Sequence, residues 1–203
     1  AVSKTQPSDA VREAFAAGQH CFGENYVQEA LAKQADLVDL RPRIEWHLIG
    51  PLQSNKTRAV AEAFDWVHTV DRLKVAERLS AQRPAWLAPL NVCLQVNVSG
   101  EASKSGLLPK DVPAAAAAVA QLPRLALRGL MSIPEPTEDL AEQRHQHHML
   151  AALLASLRLL PGLANLDTLS MGMSGDLEAA IAEGSTMVRI GTAIFGDRAA
   201  PAS

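Results

Sequence analysis

The sequence predicts a single α/β domain folded as a closed (β/α)8 barrel, and three observations lead there. Short apolar runs alternate with longer stretches of helical period from one end of the chain to the other. Eight such runs can be counted, with seven helical stretches between them, which is the βα repetition a closed barrel requires. No Pro/Gly-rich linker is long enough to divide the 203 residues, so residues 1–203 are expected to form one domain. An open doubly wound sheet is the structural alternative.

In order, "AVSK" reads as a first strand stopped by Gln6-Pro7, and Ser8 caps a helix over 8–18. "HCFGEN" is the second strand, followed by a helix over 26–38. "EWHLIG" is the third, followed by a helix over 53–63 capped by Ser54. "FDWVHTV" and a helix over 72–83 behind Asp71 come next, then "NVCLQVNV" and a helix over 110–121 behind Asp111. The alanine run in that helix is ordinary helix-forming sequence. "LRGLMSI" leads to a helix over 138–158, "LDTLSMG" to one over 175–183 capped by Ser174, and "TMVRIGTAIFG" supplies the eighth strand.

Composition excludes several classes. The chain carries 19 Lys and Arg against 22 Asp and Glu, a net charge of -3, which gives no broad basic field for nucleic acid. No apolar run approaches the ~20 residues of a membrane span, and no signal or transit segment is expected although the first residue is Ala. Cys21 and Cys93 lie in apolar strand-like runs and are expected to be buried thiols in a reducing cytoplasm.

In a barrel of this type the working face is the carboxyl end of the strands, and the loops after strands 7 and 8 commonly hold phosphate. "SMGMSGDLEAAI" brings glycines, the Ser174 hydroxyl and a helix start; "RIGTAIFG" brings Gly191 and Thr192. Gly172 and Gly191 also read simply as tight turns. On strand 8, period two puts Met187, Arg189 and Gly191 on the inner face, so Arg189 is either tied to internal acceptors or reaches a ligand. Gln95 and Asn97 share the inner face of strand 5 as a structural polar layer. Asn25 closes strand 2, where it is a ligand contact or a turn residue. Tyr26 and His47 are acid–base candidates by residue type. His145, His147 and His148 read as a solvated helix surface, and no metal site is expected. Lys4 ends strand 1 between strands 2 and 8, which places its amine at the mouth as a phosphate counter-ion or as a Schiff-base former.

The stretches "AVSKTQP", "FGENYVQEA", "WHLIGPLQSNK", "HTVDR", "QVNVSGEASKSG", "GLMSIP", "LSMGMSGDLEAAI" and "GSTMVRIGTAIFG" closely resemble the pyridoxal phosphate homeostasis protein family, also called the proline synthase co-transcribed family. The resemblance implies a single barrel similar to the amino-terminal domain of alanine racemase, binding pyridoxal 5'-phosphate (PLP). It implies that Lys4 is the Schiff-base lysine, that Ser174, Gly191 and Thr192 cradle the phosphate, and that Arg189 partners the pyridine nitrogen. Asn25 and Met131 are implied near the ring. The family's amino-terminal helix and the front of its first strand have no counterpart ahead of "AVSK".

Two functions follow from the resemblance. One is a non-catalytic PLP carrier that buffers the aldehyde, hands it to PLP-dependent apoenzymes and keeps vitamin B6, amino acids and keto acids in balance. The alternative is a PLP-dependent amino-acid racemase or decarboxylase. Racemisation needs a second acid–base group opposite the lysine, which alanine racemase takes from a further β domain. Seven residues follow Gly196, so the carrier is expected, as a monomer.

Overall fold

The computed structural model describes residues 1–100 and 105–196. Residues 101–104, inside "QVNVSGEASKSG", and 197–203 lie outside the described residues. Six parallel strands form one sheet in sequential order, curved as a half-barrel: β1 (Cys21–Glu24), β2 (Glu45–Leu48), β3 (Trp66–Val70), β4 (Leu90–Gln95), β5 (Leu125–Met131) and β6 (Thr168–Ser170). The crossovers are α2 (Val27–Asp36), α3 (Thr57–Ala63), α4 (Leu73–Gln82), α5 (Val112–Ala120) and α6 (Leu140–Leu157). α1 (Ser8–Ala16) precedes β1, and α7 (Leu177–Ala182) and α8 (Thr192–Phe195) follow β6.

The first and last expected strands are not regular strands. Each is a short stretch held by isolated parallel bridges, Val2 to Gly23 and Met187 to Ser170. Val2 N–H also donates to the Ile190 carbonyl at 2.7 Å. The second half of "TMVRIGTAIFG" is helical instead of extended. Its would-be neighbour turns away at Thr5, so no ladder partner is available, and the Gly191 carbonyl accepts from Ile194 and Phe195 instead.

Alternation along the strands sorts the side chains into two cores. Phe22, Trp46, Leu48 and Val67 face the helices and join Val11, Phe15, Val60, Leu79 and Leu154 in the main cluster. Trp66, Cys93 and Met131 form a second cluster, with Met187 packed against it.

Several local expectations change. Ser8 and Ser54 do not cap: the Ser8 hydroxyl donates to Asp36, and Ser54 opens a 3-10 turn. Asp111 occupies its cap position without a side-chain bond, while Asp139 accepts from Ala141 N–H at the start of α6. Cys21 is exposed at the first residue of β1, whereas Cys93 is buried and its thiol is pushed up to about 12 by burial. His147 is no surface group: it is fully buried, its Nε2 3.0 Å from Asp176, because that side of α6 packs on α7. His148 pairs with Glu183. Among the described residues no helix is long and apolar enough to cross a membrane.

Candidate functional site

Lys4 sits between two residues that are clamped from the helix layer. Ser3 is fully buried; its N–H donates to the Gly23 carbonyl at 3.0 Å and its hydroxyl to Glu24 at 2.6 Å. The Lys33 ammonium, on α2, donates to the Ser3 carbonyl at 2.6 Å, to Glu24 at 2.8 Å and to Glu29 at 2.7 Å. Glu29 in turn accepts the Thr5 N–H at 2.5 Å. Thr5 has φ +65°, a left-handed conformation that a β-branched residue adopts only under constraint, so Glu29 holds the chain at the bend just past Lys4. Burial raises the Glu24 carboxyl above its ordinary value, with the Lys33 and Ser3 bonds opposing it in part. Sequence reasoning missed this cluster, although Glu29 and Lys33 stand four apart on one helix face, a spacing that brings opposite charges together.

Across the cleft, Arg189 is buried on the inner face, as its alternation predicts. It donates to the Ser170 hydroxyl at 2.8 Å and to the Ser132 carbonyl at 2.9 Å. Among the described residues no carboxylate pairs with it. Burial pushes the guanidinium down to about 10, which leaves it protonated at neutral pH.

Ser174 lies in the turn ahead of α7, and it is not the cap of that helix. Asp176 holds the cap position and accepts the Met173 N–H at 2.6 Å. Asp176 also meets His147, so this loop is anchored to α6. The visible signal was an acidic residue directly before a short apolar helical run. Gly191 and Thr192 meet at the start of α8. Asn25 follows β1 with its backbone against Gly50, where a Cβ would lie 2.2 Å from the Asn25 carbonyl oxygen.

Lys4, Asn25, Ser174, Arg189, Gly191 and Thr192 border one cleft of about 300 Å³, a volume that takes a small-molecule ligand. Val2, Ile49, Ile133 and Met173 supply its apolar wall. Met131 is not on that wall; it is buried in the Trp66–Cys93 cluster. Tyr26, at the start of α2, is exposed and does not line the cleft. Gln95 donates to the Ser105 carbonyl, and Asn97 accepts from the Ser99 hydroxyl and from Gly100 N–H. His47 lies inside the sheet, bonded to His68 and Glu45.

The family described as "Alanine racemase, N-terminal domain" matches residues 1–199. A "Pyridoxal phosphate homeostasis protein" of Pseudomonas aeruginosa is 67% identical over 205 aligned positions, covering 100% of this chain and 86% of its own length. The structure of PipY of Synechococcus elongatus without PLP has a TM-score of 0.91 at 45% identity, covering 97% of this chain and 91% of that one. The same protein with PLP bound has a TM-score of 0.88 at 44% identity, with the same coverage.

Proposed function

This chain belongs to the alanine racemase N-terminal domain family, and on that premise we propose that it binds PLP and carries or buffers it, keeping vitamin B6, amino acids and keto acids in balance. The observation that carries this reading is the meeting of one amine, two hydroxyls and a guanidinium that no carboxylate among the described residues pairs with, on a single cleft.

The donor set fits the ligand. Both ionisable residues on the described cleft wall, Lys4 and Arg189, are cations, which suits a phosphate ester. PLP supplies an aldehyde that condenses with a primary amine and releases water. Lys4 offers that amine, at a backbone held by Ser3 and Thr5. Ser174 and Thr192 would donate to phosphate oxygens, and Gly191 keeps the backbone close: a Cβ there would stand 3.3 Å from the Val2 carbonyl oxygen. Arg189 has N–H groups and no acceptor, so it would donate to the ring nitrogen and would leave no proton there. Asn25, on the cleft wall, would stand near the ring, while Met131, in the Trp66–Cys93 cluster, would not contact it.

An amino-acid racemase or decarboxylase is the second reading. Racemisation needs a further acid–base group facing Lys4 across the ring, and neither Tyr26 nor His47 borders the cleft. The names of the relatives also favour the homeostasis role.

We also read the Val2 and Met187–Ile190 stretches as the first and eighth staves of a closed (β/α)8 barrel, a reading supported by the Val2–Ile190 hydrogen bond.

The test is to load the purified protein with PLP, remove excess by dialysis, record the visible absorption, reduce with borohydride and map the label by mass spectrometry. A phosphopyridoxyl group on the Lys4 peptide is expected. Label confined to Lys56 or Lys104, or no retained PLP, overturns the assignment.

A further inference from the structure

From the Arg189 guanidinium an unbroken row of polar side chains crosses the inside of the sheet. Arg189 Nη1 is 2.8 Å from Ser170 Oγ, and Ser170 Oγ is 2.7 Å from His68 Nδ1. His68 Nε2 is 2.9 Å from His47 Nδ1, and His47 Nε2 is 2.9 Å from Glu45 Oε1. His47, His68 and Ser170 are buried; Glu45, at the opposite end of the strands from the cleft, is partly exposed. Trp66 stacks on the His47 ring, with centroids 5.3 Å apart and planes 10° from parallel.

The two ends of the row dictate the direction of every bond between them. Arginine only donates, so Ser170 Oγ accepts from it and must send its own hydrogen elsewhere. The partner at hand is His68 Nδ1, which therefore accepts. A neutral imidazole carries its single N–H on the other nitrogen, so His68 Nε2–H donates to His47 Nδ1. His47 then carries its hydrogen on Nε2 and donates to Glu45, whose carboxylate only accepts. Burial holds the His68 imidazole well below its ordinary value, in keeping with a neutral ring, and the His47 bond holds Glu45 below its own, in keeping with a carboxylate. A protonated His68 would turn an N–H on the Ser170 oxygen and leave the serine hydrogen without this acceptor.

We propose that Glu45, His47, His68 and Ser170 form a one-way hydrogen-bond relay that orients the Arg189 guanidinium toward the cleft, with His47 and His68 as positioning residues that never touch the ligand. A buried serine without His68 is free to rotate its hydroxyl, and Arg189 then loses a partner of fixed direction. The relay itself is independent of any ligand. Its effect on PLP rests on the function proposed above.

The experiment has two arms. In the first, the ligand-free protein is labelled with 15N-histidine, and long-range nitrogen–proton correlation spectra are recorded; His47 and His68 are both expected as Nε2–H tautomers at neutral pH. An Nδ1–H tautomer at either residue, or a doubly protonated His68, overturns the relay. In the second, PLP affinity and the visible spectrum are compared among the unsubstituted protein, His68→Leu and His68→Asn. His68→Leu is expected to weaken PLP about tenfold and shift the spectrum, while His68→Asn, whose amide oxygen can take the place of Nδ1 and accept from Ser170, restores most of both. Equal losses in the two variants overturn the positioning role, as does no loss in His68→Leu. Failure of the unsubstituted protein to bind PLP sinks the proposed function alone, because the tautomer arm still decides the relay; that arm also stands if His68→Leu does not fold.

Discussion

The Lys33 ammonium stands 2.8 Å from a Glu24 carboxylate oxygen, with both side chains almost wholly excluded from water. The same ammonium reaches the Ser3 carbonyl, so a buried ion pair in the helix layer fixes the backbone one residue before Lys4.

Lys33→Met should therefore cost about 3–5 kcal/mol, because it strands a buried carboxylate. The double change Lys33→Met with Glu24→Gln should recover part of that loss. Denaturant unfolding gives the stabilities, and a PLP titration should show weaker binding in the single variant even where it is folded. Unchanged affinity would separate Lys4 placement from this cluster.

Gly50→Ala should displace Asn25, since the new Cβ would overlap its carbonyl oxygen. Overpacking of this kind costs about 1–3 kcal/mol, and here the obstacle is backbone. A lowered thermal midpoint together with altered PLP absorption is expected. A change in neither would mean that the contact relaxes freely.

Ser174→Ala combined with Thr192→Val removes two charge-assisted donors, each worth about 1.5–3 kcal/mol toward a phosphate. PLP affinity should fall by at least tenfold while the ligand-free unfolding midpoint moves little. Equilibrium dialysis measures the first and calorimetry the second; full retention of PLP would locate the phosphate elsewhere.

Asp176 carries a pH-dependent share of stability. Burial pulls its carboxyl upward, but the bonds from His147 and the Met173 N–H outweigh it and hold the carboxyl below its ordinary value. A depressed carboxyl contributes stability above its unfolded value, and that contribution is lost as the pH falls through the folded one. Asp176→Asn should cost about 1–3 kcal/mol at pH 7, and the gap should narrow below about pH 4. A gap that is constant across that range would assign the loss to shape alone.

PLP-loaded protein incubated with L-alanine in deuterated water should exchange the α-proton no faster than free PLP. Nuclear magnetic resonance follows the exchange and chiral chromatography the racemisation. Turnover well above free PLP that vanishes in Lys4→Ala would restore the enzyme reading.

The sequence by itself determined the alternation of strands and helices, the inward direction of Arg189, and the cleft-side loops that carry Ser174, Gly191 and Thr192. These follow from local rules: period two along a strand, helical period between strands, and glycine where the chain turns. Tertiary structure decided what each inward group meets. His68 and Ser170 are 102 positions apart, and Lys33 reaches back 30 to the Ser3 carbonyl. Such pairs depend on sheet register and on how closely a helix lies on its strand, neither of which is written in local spacing. The same holds for His147, whose burial depends on α7 covering that side of α6. It holds too for the two end strands, which became single bridges because a strand needs a continuous partner, and the bend at Thr5 ends the one that Ile190 would have had.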